Sequence, residues 1–236
     1  SQINKIYNLY IYTINFMVGL KSLTEDQIEI GKNKYIKTDE NENPNQKFVR
    51  NQILIQVENN EERRSVTDKN KYLLWDRNDE ILVKTFQRIK AGKRYQDYMQ
   101  DEEISFVDDQ KFIGKLFLRY VAENTDLHDR FEEKEMSWAD DFHIANSMIQ
   151  KTIGFMKEDE ASHTLIKMLK DDEDEDFARK LLRSALNNWE QSEKKLQERL
   201  VNWELDRISL IDRIVLIAAI TELDNFPLTA SRIIIN

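Results

Sequence analysis

Glu160 and His163 stand three residues apart, the helical spacing of a carboxylate-bridged di-metal ligand pair. Such a centre needs a second Glu-x-x-His and further Glu from other helices. The other two histidines, His128 and His143, supply no second copy, so His163 reads as a surface residue. The acidic run "DDEDED" (171–176) has no Gly at the turn position that a calcium loop requires. It reads instead as a solvated run ahead of a helix, with Arg179, Lys180 and Arg183 within reach of i,i+4 pairing. There is no Cys, hence no thiolate nucleophile, zinc thiolate or disulfide. No Ser-His-Asp grouping and no Gly-rich phosphate loop can be made out. The sequence therefore assigns no catalytic, metal or cofactor-binding residue, and the chain reads as a non-enzyme that takes no cofactor.

Two stretches are better suited to binding. "FQRIKAGKRYQDYM" (86–99) groups Arg88, Lys90, Lys93 and Arg94 as phosphate-directed cations. Tyr95 and Tyr98 beside them can either stack on bases or sit at the edge of a core. This is the best local candidate for RNA contact. "DRISLIDRIVLIAAITEL" (206–223) opens with Ser209 and Asp212 at capping-box spacing. Ile211, Ile214, Val215, Ile217, Ala218, Ile220 and Leu223 then cover most of a helix circumference, which predicts a central helix packed on several sides. Asp206, Arg207 and Arg213 are left over by the cap. They are either solvated charges or the rim of a partner-binding surface.

The elements that must position these residues are helical. The 236 residues are 40% hydrophobic and 33% charged, with only 5 Gly and 2 Pro, too few for a turn-rich β chain. Apolar spacing predicts helices over residues 3–33, 47–59, from Asn78 or Asp79 to 91, 93–99, 108–124, over a short piece after it, 138–156, one or two over 171–200, one over 209–223, and a last one from 227–229. "TDENENPN" (38–45) reads as a loop and "NEERRSVTDKN" (60–70) as a polar, partly mobile connection. The fold class is all-α, a helical bundle with an N-terminal region at 1–135 and a C-terminal subdomain at 136–236. Asn4, Lys5, Asn8 and Asn15 break the apolar N-terminus well short of a membrane span, and no signal peptide is visible, so a cytoplasmic location is expected. The net charge of −9 argues against a stand-alone nucleic-acid binder. Basic residues slightly outnumber acidic ones in residues 1–100, so RNA contact is expected toward that half. The chain starts without Met and stops at "RIIIN", which reads as truncation at both ends.

Residues 200–236 resemble the C-terminal half of the NusB transcription antitermination family. The resemblance rests on Ile211-Asp212, "RIVLIAAITEL" with Glu222-Leu223, a linker with Pro227, and the terminal "IIIN". "DDFHIANSMIQKTI" and "NPNQKFVRNQIL" resemble a longer variant of the family with an inserted helical region. The resemblance implies two helical subdomains and no catalysis. It implies binding of a boxA-type RNA together with a small-subunit ribosomal protein, the NusE partner, in a complex that acts on RNA polymerase to promote processive ribosomal RNA transcription. Carried over by position, Asp206 and Asp212 match acidic positions facing the ribosomal protein, with Arg213 beside them. The family's Arg-rich first helix has no counterpart, and Ile217 stands where a basic residue often occurs. In the family an Asn like Asn236 is followed by Glu and a closing helix. Faces exposed by missing helices would favour a homodimer. Two other functions remain open: the RNA-binding appendage of an RNA methyltransferase, and a purely structural protein-interaction module.

Overall fold

The first 32 residues contain no Pro and repeat apolar side chains every three or four positions, and they form one long helix, α1 (Gln2–Lys32). In a computed structural model of the chain, the described residues are 2–36, 38–103, 105–158, 165–167, 172–200 and 205–226. Their regular structure is helical, with no strand among them, and the all-α expectation holds. They divide into two compact units, residues 1–168 and 169–236.

In the first unit every residue from Leu9 to Met17 is buried, so α1 is hidden around its whole circumference. It is the central helix of this unit. The others are α2 (Asp39–Glu42), α3 (Gln52–Asn59), α4 (Glu61–Lys69), α5 (Glu80–Ala91), α6 (Lys93–Gln100), α7 (Phe106–Leu116), α8 (Thr125–Lys134) and α9 (Trp138–Phe155). Side chains that suit N-termini start them. Asn51 accepts from the Ile53 and Leu54 N–H groups, Asp79 from Ile81, Ser105 from Asp108 and Asn124 from Asp126. Aromatic rings fill the space between: Tyr12 stacks on Trp75 at 4.5 Å, and Phe48 packs edge-on against Tyr95 and Phe112.

Residues 60–70 depart from the expected mobile connection. They form α4, and Arg63 on it is buried. The segment is polar because its partners are polar. Arg63 donates to the Val57 and Glu58 carbonyls at 3.0 and 2.7 Å and to Asn15 Oδ1 at 2.6 Å. A guanidinium with this many donors can be satisfied inside a protein by carbonyl oxygens alone.

In the second unit α10 (Asp172–Asn187), α11 (Trp189–Arg199) and α12 (Leu210–Asn225) pack together, with a 3₁₀ turn at Leu205–Arg207. The acidic run opens α10, and Arg179 pairs with Glu175 one turn earlier. α12 is not the enclosed helix that its composition predicts. Ile217 and Thr221 are buried, but Leu210, Ile211 and Val215 are 67%, 73% and 60% exposed. No described helix is long and apolar enough to cross a membrane. Glu160 and His163 lie outside the described residues, as does the helix expected from 227–229; no cluster of metal-ligating residues occurs among the described ones.

Several phenols in the first unit are held in the protonated form. Burial, then the Glu62 carboxylate accepting its hydrogen bond, raises the Tyr7 pKa well above the ordinary value. Burial also raises Tyr10 and Tyr12, and it pushes Tyr95 up to about 12. An unfolded chain releases these protons near pH 10, while the folded chain retains them. The contribution to stability is therefore complete below about pH 10 and is lost as the pH rises through the folded-state values. We expect the urea midpoint to fall steeply above that pH. The near-ultraviolet tyrosinate signal of these residues should rise with unfolding rather than before it.

Candidate RNA and partner surfaces

The basic stretch folds into two short helices that meet at Gly92. Arg88 and Lys90 occupy the last turn of α5, where cations suit the negative end of a helix. Lys93 and Arg94 occupy the first turn of α6, where cations are disfavoured. Gly92 brings no side-chain cap to the α6 N–H groups. Two cations in an uncapped first turn cost helix stability and concentrate positive potential at one place. Local rules are broken most often where a surface has a task. All four cations are exposed. Lys90 Nζ also lies 5.7 Å from the centre of the Phe86 ring.

The tyrosines are placed differently from the base-stacking expectation. Tyr95 packs among Phe48, Phe86 and Phe112 and is 9% exposed. Tyr98 stacks on Phe112 at 3.8 Å and donates to Asp109 Oδ1 at 2.7 Å, while Asn51 Nδ2 donates to its hydroxyl. Both rings hold the ridge in place instead of presenting a face to a base. Helical spacing made either role possible, and the neighbouring Phe48 and Phe112 decided it.

Gly92 is required for close approach, not for an unusual backbone angle. A Cβ there would lie 2.2 Å from the Tyr120 hydroxyl and 3.2 Å from the Ile89 carbonyl. Tyr120 is carried by a π-helical turn, Phe117–Ala122, which continues α7.

In the second unit, Ser209 Oγ accepts from the Asp212 N–H at 3.2 Å and donates to Asp212 Oδ2 at 2.7 Å, so both residues serve the start of α12. Arg213 is not an open rim residue: it pairs with Glu193 on α11. Lys195 and Asp224 form a second link between these helices at 2.7 Å. Asp206 and Asp212 remain exposed beside Leu210, Ile211, Ile214 and Val215. Those four apolar residues were missed as surface because an apolar helix with no dominant face offers no periodic signal for its exposed side. Ile217 is fully buried, which rules out RNA contact from that position.

The arrangement offers cations for phosphate in one unit and an acid-edged apolar surface in the other. Residues 142–236 match the family model described as the NusB family. This part of the chain is therefore similar to the NusB family. The match begins within α9 and runs through α10, α11 and α12, and the chain is longer than a bare NusB domain. No curated protein and no solved structure matches the chain. At the level of the family, the NusB domain is a non-catalytic RNA-binding fold connected with antitermination.

Gly92→Ala should destabilise the first unit by about 1–3 kcal/mol, since the Tyr120 ring must shift to admit the methyl group. Adding Tyr120→Phe, which removes the clashing hydroxyl, should recover part of that stability. Urea unfolding followed by circular dichroism of the single and double variants checks both statements.

Proposed function

We propose that the protein is a transcription antitermination factor. It binds a boxA-type RNA together with a small-subunit ribosomal protein of the NusE type, and so favours processive ribosomal RNA synthesis by RNA polymerase. The NusB family match over residues 142–236 carries this reading. The exposed cations Arg88, Lys90, Lys93 and Arg94 support it as phosphate-binding groups outside the matched region. The α12 entrance supports it as the partner surface. Exposed Asp206 and Asp212 flank apolar residues, and a basic ribosomal protein complements both the charge and the hydrophobicity of such a surface. Arg213 contributes by holding α12 to α11 through Glu193.

Titration of a fluorescent boxA-type RNA at several salt concentrations tests the RNA half. The variant Arg88→Glu/Lys93→Glu/Arg94→Glu should bind at least about tenfold more weakly, with a salt slope shallower by about 0.7 for each phosphate that is no longer neutralised. Unchanged affinity and slope would remove the ridge from the RNA site. Asp206→Lys tests the partner half, because that residue lies outside the α12 cap. It should weaken binding of the ribosomal protein about tenfold in calorimetry while leaving the thermal midpoint in place. If only self-association of the chain responded, α12 would be a homodimer surface instead.

A further inference from the structure

A cleft of about 650 Å³ opens in the first unit between the C-terminal end of α1, the chain around 41–45 and the helices α5 and α6. It lies outside the region matched by the NusB family, and the basic ridge adjoins it through Lys90. Its floor is apolar, formed in part by Ile28, Ile30 and Met99, which are more exposed than the buried Phe86 and Tyr95 that also line it. Five primary amides line the walls: Asn41 and Asn45 donate to Thr38 Oγ1 and the Met99 carbonyl, whereas no side-chain hydrogen bond engages Gln27, Gln96 and Gln100 among the described residues. Among the described side chains Lys34 and Lys90 are the lining cations and no Asp or Glu lines the cleft, while Asp26 and Glu29 share a neighbouring hollow with Lys34.

We infer that this cleft binds one nucleotide unit of single-stranded RNA, with its base on the apolar floor and its phosphate at Lys34 and Lys90. The inference rests on the RNA-binding reading above and extends it to a defined pocket. Each part of the chemistry points the same way. A flat heteroaromatic base suits an apolar floor, and unengaged amides offer both donors and acceptors to its edge. Two lysines lining one cleft attract a phosphate. An apolar peptide would leave the amides and lysines without partners. Gly31 permits the shape of the wall: a Cβ there would lie 2.9 Å from Asn41 Oδ1, so glycine lets the chain near residue 41 close against α1.

The test uses the full chain and a variant that fills the cleft without changing charge, Gln27→Trp/Gln96→Trp, at two exposed positions. Wild type and variant are titrated with a single-stranded boxA-type RNA containing 4-thiouridine, then irradiated, and the adducts are mapped by mass spectrometry. Adducts within 86–100 or 24–34 are expected for the wild type. The variant should lose them and bind about tenfold more weakly with the same salt slope, as fits removal of one docked base with every phosphate still neutralised. If the wild type binds RNA and the variant binds equally well, or if adducts map only to 142–236, the cleft assignment is wrong while the RNA-binding reading stands. If the wild type binds no RNA, that reading fails, and uridine and adenosine monophosphates decide the cleft by saturation-transfer NMR. Transfer seen in the wild type and abolished in the variant makes it a free-nucleotide site, whereas no transfer overturns the proposal.

Discussion

The first unit depends on one polar contact inside its most apolar helix. Asn15 is buried at the middle of α1, where nothing but full pairing can offset its lost hydration. Its amide donates to Thr67 Oγ1 at 3.0 Å and to the Leu73 carbonyl at 2.9 Å, and its carbonyl accepts from Arg63. A helix that is apolar all round could slide or rotate among its neighbours with little change in buried area. The Asn15 group removes that freedom, because any other register strands an amide and a guanidinium in the core. Burial, together with the neighbouring Arg64, lowers the Arg63 pKa, yet an arginine remains charged at any ordinary pH. The contact is therefore permanent. It fixes α1 against α4 and the 3₁₀ turn that follows it, Lys71–Leu73, and with α1 fixed, the position of its C-terminal end is fixed as well.

That end carries a second constraint of the same kind. Lys21 is buried with its ammonium 2.5 Å from Glu25 and 2.8 Å from Glu58. Burial opposes the charge, but the two carboxylates outweigh it, and the Lys21 pKa is raised. Glu58 lies on α3, so α3 is tied to α1 both here and, through its carbonyl and Arg63, to α4. The Asn51, Tyr98 and Asp109 group then links α3 to α6 and α7. Asp109 also accepts from the Gln52 N–H at 2.8 Å, so a buried carboxylate serves as part of the start of α3. Through these polar links, which run from α1 to α6, the basic ridge is built on a rigid base although its own helices are short.

Most of the fold could be read from the sequence because apolar spacing survives in it. The limits of α1, α5, α6 and α9 follow from that spacing together with caps such as Asp79 and the break at Gly92. Two elements defeated the same reasoning for opposite reasons. Residues 60–70 look too polar to be part of a core, yet Arg63 is buried because carbonyl groups on neighbouring elements satisfy it. α12 looks too apolar to be exposed, yet only Ile217 and Thr221 on it are buried among the described residues. Hydropathy states the cost of exposing a side chain and says nothing about which neighbour meets that cost. The candidate surfaces were legible as charge clusters at 88–94 and 206–213. Which members of each cluster are available was not, since Arg213 is occupied by Glu193 and Tyr95 by three phenylalanines, and such pairings exist only in three dimensions.

The charge distribution also makes an acidic chain compatible with the proposed RNA partner. At physiological ionic strength, charges farther apart than about 8 Å are largely screened, so a phosphate responds to its nearest side chains and not to a net charge of −9. What matters is whether carboxylates intrude on the basic groups. Glu80 pairs with Lys84 and Asp79 with Arg130, which occupies the acids at the start of α5, the end of the helix away from Arg88 and Lys90. The exposed acids at the entrance of α12 belong to the other unit, where a basic protein would benefit from them. On the ridge itself Asp97 of α6 is the nearby acid in sequence, one turn after Lys93. The overall negative charge would disfavour indiscriminate binding to nucleic acid, while a short basic ridge beside a cleft with no acid among its described lining residues would still admit the strand proposed above.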